Sequence, residues 1–339
     1  MMPACRTRPL DVPLEMPFRI AYDTVTHARN VLATVGEDGV VGFGEGAPVP
    51  SITGEAQPEV LADPAADPTT LAGRTALDLA CWDLLARQDG HSLARALGGA
   101  PRPVTTSITL PLVADDELPG LVRRRLAEGW SILKVKAGLD LAQDLRRIAL
   151  VRGLAGDREV RVDANQGWGL DETVAALPEL AEAEVSVLEQ PLHKADLDGH
   201  AALREASRDV DGPPVMLDES VFGPDDARRA LDAGAADWVN IKLQKCGGLT
   251  NAVHIADMAR AEGVPCMVGC MLETRVGILA AAHLVAAHPN VRKADLDGAA
   301  LLGADPVVGG GRYDGGRIVL AEEAGIGVTS VAGVTGVAD

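Results

Sequence analysis

Five charged residues recur along the chain at nearly constant spacing, and their types suit proton transfer beside a metal ion. From Lys136 the steps to Asp163, Glu189, Asp218 and Lys242 are 27, 26, 29 and 24 residues. Each step is close to the length of one strand plus one helix, so all five would lie at one level at the carboxyl ends of parallel strands. A single acid after a strand is more often a helix cap. The occurrence of all five charged residues at this spacing is what indicates a functional site.

The three acids of this series, Asp163, Glu189 and Asp218, are called the carboxylate trio below. Without His or Cys they form an oxygen-only set, which suits a hard divalent cation, Mg²⁺ ahead of Ca²⁺ or Zn²⁺. So few protein ligands leave positions open for a substrate carboxylate. A metal bound there would stabilise the charge that forms when the adjacent carbon loses its proton.

Two lysines would supply the acid and the base. Lys136 and Lys242 fall on the second and sixth predicted strands, almost opposite each other in a closed barrel, so a substrate would meet an amine on each face. A lysine with its usual pKa of about 10.4 is a poor base, so the site must lower that pKa. Lys134, two residues before Lys136 on the same strand face, and the metal would both disfavour the protonated amine. Such a pair would invert a stereocentre next to a carboxylate.

Short strand-like segments alternate with helical segments from about residue 103 onward. Strands are predicted at 104–110, 131–137, 159–165, 186–191, 214–220, 238–244, 266–271 and 293–298, with seven helices between them. This alternation is typical of βαβ units, and no glycine-rich nucleotide-binding motif follows a strand. We expect an α/β fold, a modified (β/α)7β TIM-like barrel.

The two ends of the chain have a different pattern. Residues 1–98 are predicted to form a β-meander followed by helices, an α+β capping domain that the tail 310–339 completes. Residues 99–309 would then be the catalytic barrel domain. A unit of this kind can close over the barrel mouth, where barrel enzymes have their active sites.

The composition excludes several classes of partner. The chain has 339 residues, with 49 Asp and Glu against 31 Lys and Arg, and a formal net charge of −18. This charge repels nucleic acid and anionic membranes, and 3% aromatic residues are too few for a base-stacking surface. Five scattered cysteines lack a C-x-x-C pair, and neither a signal peptide nor a membrane span is predicted. We expect a cytoplasmic protein with a small-molecule substrate.

These motifs together resemble the muconate lactonizing enzyme subgroup of the enolase superfamily over nearly the whole chain. The matching segments are LKVKAG, VDANQGW, LEQPL, LDES and NIKLQKCGG. The resemblance implies one Mg²⁺ held by the carboxylate trio, with Lys136 and Lys242 as the acid/base pair. It also implies that Lys134 binds the substrate carboxylate and that the protein is a homo-oligomer.

Within this subgroup the chain is most similar to the dipeptide epimerases. Asp295-Leu296-Asp297 stands on the eighth predicted strand, where those enzymes bind the α-ammonium group of the dipeptide. The resemblance implies inversion of the α carbon of the C-terminal residue. The route would be a two-lysine 1,1-proton transfer through a metal-stabilised enolate.

The capping loop departs from the Ala-Glu epimerases of this group. Those enzymes use an arginine to meet the substrate's side-chain carboxylate, whereas this loop reads Ala21-Tyr22-Asp23-Thr24. Because an acid cannot replace that contact, we expect a substrate other than Ala-Glu. Its second residue would be neutral or cationic, selected by Tyr22 and Asp23, or by Arg19.

Other reactions share the same first half-step, namely o-succinylbenzoate synthesis, N-acylamino acid racemisation and muconate cycloisomerisation. Their substrates have no ammonium group for Asp295 and Asp297 to meet, which favours the dipeptide hypothesis. A further alternative is a non-catalytic barrel that only binds a ligand or a metal. Binding alone, however, does not need an amine on each side of the ligand.

Overall fold

A computed structural model describes residues 4–20, 23–332 and 334–335 of the chain. Its first unit is an antiparallel sheet of three strands, β1 (Ala4–Ile20), β2 (Asp23–Glu37) and β3 (Val40–Gly46). Asp38 and Gly39 join β2 to β3 with φ of 50° and 81°, which is the backbone that a two-residue hairpin turn requires. Helices α1 (Gln57–Ala62), α2 (Leu71–Gln88) and α3 (Leu93–Ala96) follow, and then the short strand β4 (Val104–Thr105).

Strand β3 packs directly against α2 because every second residue of the strand is glycine. A Cβ on Gly42, Gly44 or Gly46 would come within 2.2, 2.0 or 2.3 Å of a helix carbonyl oxygen. Phe43 and Glu45 alternate with these glycines and are buried. The glycines therefore allow close helix packing, and the sheet with its helices forms the unit predicted as a cap.

Eight parallel strands form the second unit and follow one another in chain order around the sheet. They are β5 (Ile108–Leu110), β6 (Ile132–Lys136), β7 (Glu159–Asp163), β8 (Val185–Glu189), β9 (Val215–Leu217), β10 (Trp238–Lys242), β11 (Cys266–Gly269) and β12 (Val291–Asp295). Side chains join the two edge strands, because Ser107 Oγ donates to Asp295 Oδ1 (2.5 Å) and the N–H of Leu296 donates to Thr106 Oγ1 (2.6 Å). The predicted barrel is confirmed.

Helices connect these strands on the outside of the barrel. They are α4 (Leu118–Ala127), α5 (Leu141–Ala155), α6 (Leu170–Glu182), α7 (Leu197–Asp209), α8 (Pro224–Asp232), α9 (Leu243–Cys246), α10 (Leu249–Ala261) and α11 (Arg275–Ala287). None of the helices within the described residues combines the length and the hydropathy needed to cross a membrane.

The C-terminal tail pairs back onto earlier parts of the chain. Strand β13 (Val307–Gly309) pairs with β16 (Val328–Val331), which pairs with β17 (Val334–Thr335). Strand β14 (Gly311–Asp314) pairs with β15 (Arg317–Leu320), and β15 also pairs with β4. The backbone N–H of Leu93 in α3 donates to Gly325 O (2.7 Å). The division into residues 1–98 with 310–339 and residues 99–309 stays a prediction.

The observed strands differ in extent from the predicted ones, and two of these differences affect the site. The segment 104–110 forms two strands, β4 and β5, because Thr106 and Ser107 between them use their side chains to bond to the end of β12. The predicted strand 293–298 is β12, which ends at Asp295 and is followed by a 3-10 turn at Gly298–Leu301. Asp297 therefore lies in a connection beyond the strand.

Candidate active site

The carboxyl ends of the barrel strands bring the charged series together. Lys136, Asp163, Glu189 and Lys242 are the last residues of β6, β7, β8 and β10, and Asp218 directly follows β9. All five are buried, with at most 8% of the residue surface exposed. Because the strands are parallel and neighbouring, their equivalent ends place these side chains around one mouth.

The carboxylate trio is placed to hold one metal ion. One oxygen from each of the three side chains lies within 4.8 Å of the others. Asp163 Oδ2 and Glu189 Oε2 lie 3.0 and 2.7 Å from Lys134 Nζ, and Asp218 Oδ2 lies 2.8 Å from Lys242 Nζ. Lysine ammonium groups are thus the counter-ions of all three carboxylates.

Buried carboxylates outnumber buried ammonium groups at this mouth. The six buried acids named below are accompanied by four buried lysines, so the acids are in excess. The acids are Asp163, Glu189, Asp218, Glu219, Asp295 and Asp297, and the lysines are Lys134, Lys136, Lys242 and Lys245. The excess of acids and the oxygen-only donor set both fit Mg²⁺.

This excess of negative charge changes the pKa of individual carboxyl groups. Burial, together with the charge of Asp163, raises the pKa of Glu189 to about 8. Burial also acts on Asp218, but the nearby Lys242 and Lys245 outweigh it and hold the pKa of Asp218 below its usual range. The trio is therefore unevenly neutralised by lysines, and Glu189 is the member that most needs a further cation.

Lys136 and Lys242, the predicted acid/base pair, contact different members of the trio. Lys136 Nζ lies 2.6 Å from Asp163 Oδ2, and Lys242 Nζ lies 2.8 Å from Asp218 Oδ2. Burial by itself lowers the pKa of Lys242, but the charge of Asp218 raises it above its usual value. This is the reverse of the lowered pKa that a lysine base needs. The reason is that the lysine serves as a counter-ion here, a role that a divalent cation on the trio would take over.

Lys134 lies between the trio and the last barrel strand. Its Nζ lies 3.0 Å from Asp163 Oδ2, 2.7 Å from Glu189 Oε2 and 2.7 Å from Asp295 Oδ2. Burial lowers the pKa of Lys134, but these carboxylates outweigh it and raise the pKa well above its usual value. Lys134 is therefore a fixed positive charge, which suits its predicted role at a substrate carboxylate.

The two aspartates of the Asp-Leu-Asp motif have different surroundings. Asp295 uses one oxygen for its ion pair with the lysine just described, and the other accepts from Ser107 Oγ (2.5 Å). Asp297 Oδ2 accepts from the backbone N–H of Thr109 (2.6 Å), while Oδ1 has Cys270 Sγ at 3.8 Å. Burial and the charge of Asp295 raise the pKa of Asp297 to about 6. Of the two, Asp297 has an oxygen available for a substrate ammonium group.

Four buried polar residues at this mouth were not among the predicted site residues, namely Asn165, Glu219, Asn240 and Lys245. Asn165 Nδ2 donates to Glu219 Oε1 (3.1 Å), and burial with the charge of Asp218 raises the pKa of Glu219 to about 7. The other two lie in the motif N-I-K-L-Q-K, whose four polar residues give no local indication of which carboxylate each one meets.

A cavity of about 330 Å³ lies over the mouth. Barrel residues such as Lys136, Lys242 and Asp297 line it, and Phe18 and Ile52 of the first unit line it as well. The volume is in the range of small-molecule sites. A ligand there would touch both units at once.

Buried hydrogen bonds join the two units beside this cavity. Asn30 Nδ2 on β2 donates to Leu272 O (2.8 Å). The Glu45 carboxylate on β3 accepts from the backbone N–H (2.9 Å) and the hydroxyl (2.7 Å) of Thr274, the residue that precedes α11. A carboxylate is favourable at the start of a helix. This contact therefore fixes the sheet of the first unit to the barrel.

The predicted selectors of the substrate side chain are only partly covered by the structure. Tyr22 lies outside the described residues, as does the side chain of Asp23. Arg19 is exposed, and together with Asp115 and Arg147 it lines a second cavity, separate from the one over the mouth. The choice between these selectors stays a prediction.

Comparison with known proteins places the chain in a family. A family model described as "Enolase C-terminal domain-like" matches residues 117–332. The L-Ala-D/L-Glu epimerase of Clostridium acetobutylicum is 35% identical over an alignment 350 positions long, gaps included, which covers 95% of this chain and 97% of that protein. The chain belongs to the enolase superfamily. The resemblance predicted from sequence is confirmed.

Solved structures of superfamily members agree with this assignment. A substrate-liganded complex of the L-Ala-D/L-Glu epimerase of Bacillus subtilis has a TM-score of 0.92 at 34% identity, covering 98% of this chain and 100% of that chain. The dipeptide epimerase of Enterococcus faecalis, complexed with Mg and L-Leu-L-Tyr, has a TM-score of 0.91 at 32% identity, covering 97% and 99%. This enolase superfamily chain is thus similar over its whole length to dipeptide epimerases with different substrates.

Proposed function

We propose that the protein is a Mg²⁺-dependent dipeptide epimerase that inverts the α carbon of the C-terminal residue of a dipeptide. The observation that supports this most directly is the placement of two buried lysines beside different members of the carboxylate trio. Lys136 is at Asp163 and Lys242 is at Asp218, 2.6 and 2.8 Å away. An amine on each side of one metal site suits removal of a proton from one face of a carbon and its return to the other.

The carboxylate trio would hold Mg²⁺, and Lys134 would bind the substrate carboxylate beside it. Bound there, Mg²⁺ would stabilise the negative charge that the substrate carboxylate gains as the α proton leaves. Lys134 adds a second positive charge at the same place, because three surrounding carboxylates keep it protonated. Two fixed positive charges then act on the group whose charge grows during the reaction.

Proton transfer would need one lysine neutral and the other charged. The neutral amine takes the α proton as the C–H bond breaks, and the opposite ammonium group gives a proton to the other face of the same carbon. Lys136 and Lys242 exchange these roles between the forward and reverse directions. No proton is gained or lost overall, which is the balance that an epimerisation requires.

Asp297 would bind the α-ammonium group of the dipeptide. Its Oδ1 is available near the cavity, while its Oδ2 is fixed by the backbone N–H of Thr109. An N-acylated amino acid or an aromatic diacid lacks this ammonium group, so Asp297 favours a dipeptide over the substrates of the related racemases and synthases.

The identity of the second residue is a separate proposal. We propose a neutral or cationic side chain and not glutamate, because Asp23 stands where the Ala-Glu epimerases have an arginine. Overall identity does not decide this, since the L-Ala-D/L-Glu epimerase of C. acetobutylicum and the hydrophobic dipeptide epimerase of E. faecalis are 35% and 34% identical to the chain. A homo-oligomeric state and a cytoplasmic location also stay predictions.

Incubation in D₂O with Mg²⁺ and a library of L,L-dipeptides tests the proposed function. Mass spectrometry should detect deuterium at the α carbon of the C-terminal residue of a subset of dipeptides. Chiral chromatography should then detect the epimers of the same dipeptides. A parallel incubation with a chelator should give no exchange, and N-acetylated dipeptides should exchange more slowly. The absence of exchange across a broad library would refute the enzyme hypothesis. Fast exchange of Ala-Glu alone would refute only the proposed specificity.

A further inference from the structure

Each member of the carboxylate trio has one oxygen beside a donor of the barrel, in a hydrogen bond at Asp163 and Glu189 and in an ion pair at Asp218. Asp163 Oδ1 accepts from the backbone N–H of Asn165 (3.0 Å). Glu189 Oε1 accepts from Asn240 Nδ2 (2.8 Å). Asn240 is fully buried on β10, so its amide has little freedom to leave this position.

Lys245 forms an ion pair with the third member of the trio, Asp218. Its Nζ lies 2.6 Å from Asp218 Oδ1. The same ammonium donates to the carbonyl oxygens of Asp218 and Val221, the second at 2.8 Å, and lies 5.5 Å from the centre of the Phe222 ring. Only 2% of Lys245 is exposed. Backbone and ring contacts therefore fix this lysine against Asp218.

The second oxygen of each carboxylate has a different kind of partner. Asp163 Oδ2 and Glu189 Oε2 contact Lys134, and Asp218 Oδ2 contacts Lys242. Lys134 and Lys242 line the cavity, as do Asn165 and Lys245. Each carboxylate thus has one oxygen beside Lys134 or Lys242, whose role as counter-ion a metal would take over, and one oxygen beside Asn165, Asn240 or Lys245.

Carboxylates that each offer a single oxygen to the metal suit Mg²⁺ better than Ca²⁺. Mg²⁺ requires near-ideal octahedral geometry with short bonds and keeps several positions for water or substrate. Ca²⁺ takes six to eight oxygens at longer distances and commonly binds both oxygens of a carboxylate. A donor beside the second oxygen of a carboxylate therefore disfavours the bidentate binding that Ca²⁺ would gain.

We propose that Asn240 and Lys245 are positioning residues that keep Glu189 and Asp218 monodentate and thereby make the site select Mg²⁺ over Ca²⁺. The proposal rests on the metal site of the proposed function. Both residues come from the motif N-I-K-L-Q-K, in which β10 supplies Asn240 and Lys242 and the short helix α9 brings Lys245 to Asp218. One segment would then provide both a reacting lysine and the donors that shape the metal site.

Calorimetric titration of the full-length, metal-free protein with MgCl₂ and with CaCl₂ tests this without substrate. The measured quantity is the ratio of the two dissociation constants in the wild type, Lys245→Met and Asn240→Leu. Partners of metal ligands typically change metal affinity by about 10- to 100-fold. We expect the ratio to shift towards Ca²⁺ by about tenfold or more in each variant, and Lys245→Arg, which keeps a charged donor, to recover part of the preference.

Lys194→Met is the matched control. Lys194 is exposed, and its Nζ lies 5.7 Å from the centre of the same Phe222 ring, so its removal changes the ring contact and leaves the trio intact. We expect its ratio to equal that of the wild type. Wild-type ratios in both Lys245→Met and Asn240→Leu would overturn the proposal. If Lys245→Met does not fold by circular dichroism, the ratio in Asn240→Leu decides alone. A wild type that binds neither cation would overturn the proposed metal site as well.

Discussion

Strand β7 begins and ends with a carboxylate, and the two carboxylates have different surroundings at the two ends of the barrel. At the amino end, Glu159 Oε1 accepts from Arg161 Nε (2.8 Å), Ser186 Oγ (2.8 Å) and Lys293 Nζ (2.7 Å). Burial works against the charge of Glu159, but Arg161 and then Lys293 lower its pKa to about 2. Asp163, four residues later, shares its lysines with the other acids of the mouth.

The difference lies in the balance of charge. At the amino end the cations have further partners of their own, since Arg161 Nη1 donates to Ala294 O (2.9 Å) and Lys293 lies 5.3 Å from the centre of the Trp238 ring. At the carboxyl end, burial and neighbouring acids raise the pKa of Glu189 to about 8 and that of Asp297 to about 6. The charges of the amino-end cluster balance one another, so that cluster stabilises the fold. The carboxyl-end cluster has an excess of acids, which suits the binding of a cation.

Replacing a lysine at the carboxyl end of the barrel should lower epimerisation more than any other substitution. Replacing one at the amino end should not lower it. Lys136→Ala and Lys242→Ala should each lower epimerisation by about 10²- to 10⁴-fold, the usual contribution of a positioned acid or base. Each variant should still exchange the α proton of the one epimer whose proton faces the remaining lysine. Lys293→Ala is the control at the amino end, and chiral chromatography should find its turnover close to that of the wild type. Near-normal turnover of either mouth variant would refute the two-lysine mechanism.

Removing the charge of Asp297 should have the next largest effect. Asp297→Asn should lower kcat/KM for dipeptides by about 10- to 100-fold, because a hydrogen bond to a charged group contributes about 1.5–3 kcal/mol. N-acetylated dipeptides, which have no ammonium group, should be nearly unaffected. Steady-state kinetics on both substrate series measures the difference. Equal losses in the two series would remove the role assigned to Asp297.

The raised pKa of Asp297 predicts a smaller effect of pH. Its pKa of about 6 means that the carboxyl group gains a proton as the pH falls through 6 and loses the charge that attracts an ammonium group. The kcat/KM of a dipeptide should therefore fall by up to about tenfold per pH unit below 6. The profile of Asp297→Asn, which has no proton to gain, should lack this part of the decline. If wild type and variant decline in parallel, another group is responsible.

Changing the carboxylate at the amino end should have the smallest effect on activity. Glu159→Gln should leave kcat/KM unchanged and lower the free energy of unfolding at pH 7 by about 1–3 kcal/mol, since it removes a charged hydrogen-bond acceptor. The ordinary pKa of 4.5 is lowered to about 2, so this stabilisation is present above pH 4.5 and is lost as the pH falls towards 2. Urea unfolding at pH 7 and pH 2.5 measures it. A loss of activity at full stability would contradict the structural role.

Much of the barrel could be predicted from sequence because its elements are long and periodic. Each predicted strand segment overlaps one barrel strand, and the segments 159–165 and 238–244 begin at the same residues as β7 and β10. The break between β4 and β5 could not be predicted, because Thr106 and Ser107 have ordinary strand propensity and bond to residues about 190 positions away. Long-range partners of this kind leave no local pattern.

The different surroundings of Asp295 and Asp297 could not be predicted from sequence either, because they also depend on long-range partners. In the sequence the two acids are equivalent members of one motif. In the fold, Asp295 meets Ser107 and Lys134. Asp297 lies beyond the strand end and meets the backbone N–H of Thr109 and the thiol of Cys270. The part played by Lys245 was hidden likewise, because only the turn of α9 brings it to Asp218.

The sequence by itself determined which residue types are present and their spacing of one strand plus one helix, and from these came the barrel, the carboxylate trio and the two lysines. The tertiary structure decided which partner each carboxylate oxygen meets and which buried charges neutralise one another. The physical reason is that spacing along the chain sets the strand end on which a side chain lies. The pairing of charges depends instead on distances of about 3 Å between residues that are far apart in the chain.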